Sequence, residues 1–172
     1  MKKKNVRAFG HRIEVYYMNI FRDELGFEFC KTSRNFSKVL DACKVDLSNL
    51  PYNVQIKAGE QNGLNPNKIF FEMEQLLKEN YPPFELVHSF PKVLIHYKLV
   101  PKGRKLRIPT DEIVYIPLSS YKSLYKELKF DIVIIELKKS RLKILKDTNY
   151  EICVGITFED FKNKIIKVRK YD

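Results

Sequence analysis

The stretch Asp41-Ala-Cys-Lys-Val-Asp46-Leu-Ser-Asn-Leu-Pro-Tyr-Asn-Val-Gln55-Ile-Lys57 gathers side chains able to do chemistry. It reads as two short strands joined by a tight polar turn over residues 48–53, with Asp46 on the first and Gln55 and Lys57 on the second. Strand side chains alternate between faces, so Gln55 and Lys57 share one face while Val54 and Ile56 take the other. A carboxylate, a side-chain carbonyl and an ammonium then meet near the end of a hairpin. Hard divalent cations prefer oxygen ligands of this kind, and phosphodiester hydrolysis can use such a site. The chemistry predicted is that of a metal-assisted nuclease.

The flanking elements must hold those groups in place. Residues 10–25 have helical spacing, with Ile13, Tyr17, Ile20 and Phe21 as an apolar stripe and Glu14 at its edge. Gly26 ends that helix. Residues 27–31 read as a strand, residues 32–37 as a polar connection, and the hairpin follows. After a loop over residues 58–65, Asn65-Pro66 is an N-cap followed by proline at the first helical position. The helix it opens runs over residues 66–80, buries Ile69, Phe70, Met73, Leu76 and Leu77, and stops before Pro82-Pro83. Strands are expected at residues 93–99 and 112–117, and a short helix at 119–128. Residues 131–137 read as a buried strand running into basic sequence. A last strand at 151–156 is followed by a helix over 158–167 capped by Thr157. No internal repeat or low-complexity linker interrupts the chain. The simplest organisation is a core over residues 1–128 with a basic C-terminal extension, residues 129–172, packed on the same domain.

Composition supports a folded, cation-rich protein. The 172 residues are 44% hydrophobic and 13% aromatic, and the formal net charge is +11, which argues against a disordered tail and suits a nucleic-acid partner. Three cysteines without metal-ligand spacing, Cys30, Cys43 and Cys153, read as reduced thiols of a cytoplasmic protein. The Lys-rich start lacks the apolar run of a secretion signal, and the run at residues 132–135 is too short to span a bilayer, so no membrane partner is expected. His11, His88 and His96 have no ligand spacing. Tyr and Phe fall at core-like positions, and basic segments at residues 102–107 and 138–146 are candidates for contact with a phosphate backbone.

Gly10-x-x-x-Glu14, Leu25-Gly26-Phe27, Thr32-Ser33-Arg34, Val45-Asp46-Leu47 and Gln55-Ile56-Lys57 occur in that order. Together they resemble the PD-(D/E)xK nuclease superfamily, and within it archaeal-type Holliday junction resolvases and small phage-encoded endonucleases. The resemblance covers residues 1–80 and fades beyond residue 100. It implies an α/β fold with a restriction-endonuclease-like core, in the order αβββαβ with a mixed central sheet flanked by helices, and a C-terminal α+β extension. It also implies that Asp46, Gln55, Glu14 and the backbone carbonyl of Ile56 hold Mg2+, with Mn2+ as a substitute. Gln55 stands where the family usually has Glu, which removes one negative charge. Lys57 is implied to position or activate the attacking water, and Asp41 to act as an outer-shell acid. Ser33, Arg34 and Ser37 fall where the family's loop touches the scissile phosphate, while Lys102 and Arg104 lie in a basic segment suited to the DNA backbone. Resolvases of this kind cut branched DNA as homodimers, in the cytoplasm of the cell or of a phage's host. The competing expectation is a nuclease-fold binding module that lost turnover through Gln55. A second motif, Pro109-x-Asp111 with Glu136-Leu-Lys138, matches the superfamily's name in letters, but the sequence between reads as strand, turn and helix rather than as a hairpin.

Overall fold

Where apolar residues recur every third or fourth position, a helix forms and turns them inward. In the computed structural model, which describes residues 6–59, 64–97, 101–102, 105–106, 112–124 and 153–166, helix α1 (Val6–Asn19) runs on into a wider π-type turn (Ile20–Glu24). Ile13, Tyr17, Ile20 and Phe21 are buried, and Glu14 shares their band at only 8% exposure. The Leu25 N–H donates to the Ile20 carbonyl (3.1 Å), and Gly26 follows with φ +74°, a left-handed conformation that favours glycine.

The segment leading to the hairpin is less extended than its sequence suggests. Strand β1 is only Lys31–Thr32, because Cys30 N–H turns back onto the Phe27 carbonyl (2.8 Å) and uses up the residues before it. The expected polar connection winds into a single helical turn, α2 (Ser33–Phe36). A second short helix, α3 (Lys38–Ala42), occupies the region where the first hairpin strand was expected to begin, so Asp41 is helical. Ser37 accounts for α3: its Oγ accepts the Leu40 N–H (3.3 Å) as an N-cap. Lys44, with φ +62°, ends the excursion.

The hairpin itself is present, with β2 (Leu47–Ser48) antiparallel to β3 (Asn53–Ala58) and Leu47 opposite Val54. Asp46 sits one residue before β2. Helix α4 (Pro66–Asn80) begins where expected, with Asn65 Oδ1 accepting the Lys68 N–H (3.1 Å) and Pro66 at the first position. It returns the chain to β4 (Lys92–Tyr97), which pairs in parallel with β3. A separate two-stranded ribbon, β5 (Pro101–Lys102) and β6 (Lys105–Leu106), precedes β7 (Glu112–Pro117). Helix α5 (Leu118–Leu124) follows β7, and β8 (Cys153–Thr157) leads into α6 (Phe158–Asp160) and a π-type turn (Phe161–Ile166). Thr157 caps this last segment as expected, accepting the Asp160 N–H (3.0 Å).

The architecture is mixed α/β. Six strands in the order β1-β2-β3-β4-β7-β8 form one sheet, antiparallel except for β3 and β4. Val54, Ile56, Ile95, Val114 and Ile156 bury one face against α1, Phe158 and Phe161. Across the other face lies α4, with Asn67 accepting a hydrogen bond from the Cys153 thiol and Glu74 paired to Lys92 (2.9 Å). Met73 and Leu77 of α4 close a second cluster with Cys43 and Val45. Residues 153–166 therefore belong to the same sheet and core as residues 6–58. No described helix is long and apolar enough to cross a membrane.

Candidate active site

Asp46 is held at three points. Its N–H donates to the Val54 carbonyl (2.7 Å), its carbonyl accepts the Ser33 N–H (2.8 Å), and its Oδ2 accepts the Ile56 N–H (2.6 Å). The first and third bonds tie it to β3, and the second ties it to α2. The first of these bonds departs from a regular continuation of the Leu47–Val54 pair, since Asp46 and Leu47 then both face Val54, and it sets the Asp46 backbone against Val54 and its carboxylate on Ile56. The Ile56 N–H is a charge-assisted donor that favours the carboxylate, and the Lys57 ammonium adds to that effect. Burial opposes both and wins, with help from the charges of Glu14 and Asp41, so the Asp46 carboxyl is pushed up to about 7. The charges of Glu14, Asp41 and Lys57 are thus all felt at Asp46.

On the two segments bonded to Asp46, polar side-chain atoms are buried without a hydrogen-bond partner. Gln55 is 3% exposed and its Oε1 is unpaired; Ser33 is fully buried and its Oγ is unpaired. Buried polar groups in folded proteins are almost always satisfied, and an orphan costs about 1–3 kcal/mol. Two of them on the segments bonded to Asp46 is an arrangement that folding alone does not favour.

Glu14 reaches this neighbourhood from α1. Its Oε1 accepts from Arg34 Nη2 (3.1 Å) and its Oε2 from His11 Nδ1 (3.1 Å). A carboxylate only accepts, so the His11 proton on that contact sits on Nδ1. Arg34 Nε is buried with no partner. Lys57 is half-buried, its charge opposes the rise of Asp46 and adds a little to the lowering of the Glu72 carboxyl of α4, which is due chiefly to the hydrogen bond from Lys44, and in the parallel register it lies beside His96. His96 is buried, and its Nε2 donates to the Gly59 carbonyl (3.2 Å), closing the chain just past Lys57.

The structure thus ties Asp46 to Ser33 and Ile56 and Glu14 to Arg34, with the charges of Glu14 and Lys57 felt at Asp46, while Gln55 and Lys57 lie on the face of β3 opposite Val54 and Ile56. Ser37 is near in sequence, but its hydroxyl caps α3. Asp41 is exposed on α3 and contributes only charge. Lys102 lies in β5, in a sheet separate from the hairpin, and Arg104 lies outside the described residues, as does the second motif at residues 109–111 and 136–138. The role of His11 on Glu14 had a sequence signal, since residues three apart share a helix face; the Arg34 contact across 20 residues had none. Among the described residues, no three His, Cys, Asp or Glu side chains cluster about a point. The oxygen donors here are of mixed kind: Asp46, the Gln55 amide and Glu14. No protein family matches this chain, and neither a curated protein nor a solved structure matches it.

Proposed function

We propose that this protein is a metal-dependent endonuclease that hydrolyses DNA phosphodiester bonds on a restriction-endonuclease-like core, with branched DNA of the Holliday-junction type as its substrate. The observation that carries the reading is the unpaired, buried Oε1 of Gln55, which lies on the strand between Val54 and Ile56, the two residues bonded to Asp46, with Lys57 two residues further along. A divalent cation fits there. It would satisfy the orphaned amide oxygen and stabilise the ionised form of a carboxyl that burial, helped by the charges of Glu14 and Asp41, pushes up to about 7. Asp46, Gln55 and the Ile56 carbonyl would hold it, with Glu14 as the further acid, and Mg2+ needs few protein carboxylates because it keeps several waters.

Such an ion supplies charge stabilisation to the phosphoryl oxygens. The remaining work falls to the chain itself. The Ile56 N–H fixes one carboxyl oxygen of Asp46, leaving Oδ1 as its free ligand atom. The Lys57 ammonium lies on the strand face that carries Gln55, where it would orient the attacking water and offset charge on the pentavalent phosphate. Ser33 Oγ and Arg34 Nε are donors unused within the protein, on the helical turn whose first N–H bonds to the Asp46 carbonyl, and such donors suit the non-bridging oxygens of a scissile phosphate.

The test is cleavage of an end-labelled four-way junction and its matched linear duplex in Mg2+ or Mn2+, beside Asp46→Ala. Metal-dependent cutting that disappears in the mutant supports the proposal, and the ratio of junction to duplex cutting decides the substrate. A second reading has one observation in its favour. Both oxygens of Glu14 are already occupied by Arg34 and His11, as they would be in a nuclease-fold module that binds DNA and no longer cuts it. If the wild-type protein is inert and Gln55→Glu cuts, that reading replaces the first.

A further inference from the structure

Phe29, Phe36 and Val39 are three of the seven large hydrophobic side chains left exposed among the described residues, and all three fall between residues 29 and 39. Phe29 is 75% exposed and Phe36 52%. The same segment carries Lys31, Arg34 and Lys38, and residues 29–40 contain no carboxylate. The Lys31 ammonium lies 5.2 Å from the centre of the Phe36 ring, a cation–π contact.

These rings are presented by anchored backbone. Phe36 ends α2, the one-turn helix whose first residue donates its N–H to the Asp46 carbonyl and whose second holds Glu14. At 1.5 Å of rise per residue, Phe36 stands about 5 Å along that axis from Ser33. On the other side of Lys31, the Phe29 carbonyl accepts from Asn49 Nδ2 (2.8 Å), and Asn49 holds a left-handed φ of +59°. An exposed aromatic ring with a lysine ammonium against it suits a flat, uncharged ring carried on a negatively charged backbone. A nucleobase is such a ring. In continuous duplex the base faces are hidden by their neighbours, so only an unpaired base offers one.

We infer that Phe36, with Lys31 against its ring, is a stacking platform for an unpaired base next to the phosphate at the Asp46 site. The inference rests on the nuclease reading and narrows its substrate to nucleic acid with an unpaired base near the cut, as at a branch point or in a single strand.

The chain contains no tryptophan, so Phe36→Trp introduces a single fluorophore at the platform. It is titrated in EDTA with a single-stranded DNA oligonucleotide and with the matched duplex, occupancy being read separately by anisotropy of labelled DNA. The expected result is quenching at saturation by the single strand and not by the duplex. In the same buffer, Phe36→Ala and Phe36→Leu bind the single strand roughly tenfold more weakly, within the range of about 5- to 150-fold that base–aromatic stacking spans. Duplex affinity stays within about twofold, and Phe36→Tyr keeps near-wild-type binding because it keeps the ring. Saturated binding without quenching, equal losses on both DNAs, full affinity in Phe36→Ala, or no DNA binding by the wild-type protein would each overturn the platform. A patch that serves as a protein contact would show the third of these. Because no metal and no cutting are involved, the two readings separate. Quenching without any metal-dependent cleavage keeps the platform and removes the hydrolase, and cleavage lost in Asp46→Ala without quenching does the reverse.

Discussion

Asp46 is where stability and chemistry conflict. Its carboxyl is raised from an ordinary 3.8 to about 7, chiefly by burial. An acid whose pKa is raised by folding holds its proton more tightly in the folded state. Its contribution is therefore complete below about pH 4 and is lost as the pH rises through 7. The distance from 3.8 to about 7 corresponds to roughly 4 kcal/mol at most. Asn at this position can still accept the Ile56 N–H and carries no charge. Asp46→Asn is therefore expected to be more stable than wild type at pH 8 without divalent cations, with the difference shrinking to about 1 kcal/mol by pH 4.5. Denaturant unfolding at the two pH values checks this; an equal effect at both would assign it to something other than the buried charge. Glu14 poses a complementary case. Arg34 occupies one of its oxygens, so Arg34→Gln is expected to raise the Mn2+ affinity of the DNA-free protein by roughly 3- to 10-fold, equivalent to about 1 kcal/mol of released pairing. The same change should weaken DNA binding. Calorimetric titration with Mn2+, followed by a DNA titration of the same sample, reads both; unchanged Mn2+ affinity would remove Glu14 from the ligand set.

Among the elements, α4 depends most visibly on its cap. Asn65 Oδ1 satisfies one of the N–H groups that the first turn leaves open. Asn65→Ala should cost about 1 kcal/mol and lower the melting temperature by a few degrees without altering DNA binding. A loss of DNA affinity in that variant would instead tie the α4 terminus to the substrate. The boundaries of α4 were legible because its signals are local: an Asn-Pro start, apolar residues at helical spacing and Pro82-Pro83 beyond the end. The bounds of β7 were legible for a similar reason, since β-branched and aromatic residues at 113–116 lie ahead of Pro117. The segment from Cys30 to Ala42 was not legible. Its two short helices depend on Ser37 as a cap and on Ser33 reaching the Asp46 carbonyl, a tertiary contact that no periodicity records. The site divides along the same line. The shared face of Gln55 and Lys57 followed from strand alternation, and the inward placement of Glu14 from its helical stripe. The Arg34–Glu14 pairing and the position of His96 beside Lys57 are products of chain crossing and had no local trace.

At the scale of the whole molecule, the C-terminal residues belong to the structure that carries the site. β8 pairs with β7 along five residues, from Ile113 opposite Thr157 to Pro117 opposite Cys153. β7 in turn pairs with β4, and β4 with β3, so the strand bearing Gln55 and Lys57 is three pairings from β8. Phe158 packs edge-on against Tyr17 of α1 (5.2 Å between ring centres), and Phe161 against Tyr52 of the hairpin turn (5.9 Å). Phe161 is fully buried, and replacing such a ring with Ala typically costs about 3–5 kcal/mol. That is a large part of the 5–15 kcal/mol that stabilises an ordinary domain. Phe161→Ala should therefore unfold at markedly lower denaturant while keeping a cooperative transition. A chain of residues 1–128 loses β8, Phe158 and Phe161 together and exposes the inner face of β7, so it should show no cooperative unfolding. Circular dichroism through a urea titration distinguishes the cases. A sharp transition in residues 1–128, with Phe161→Ala close to wild type, would mean that the sheet is complete without β8 and that the site is supported by the first 128 residues alone.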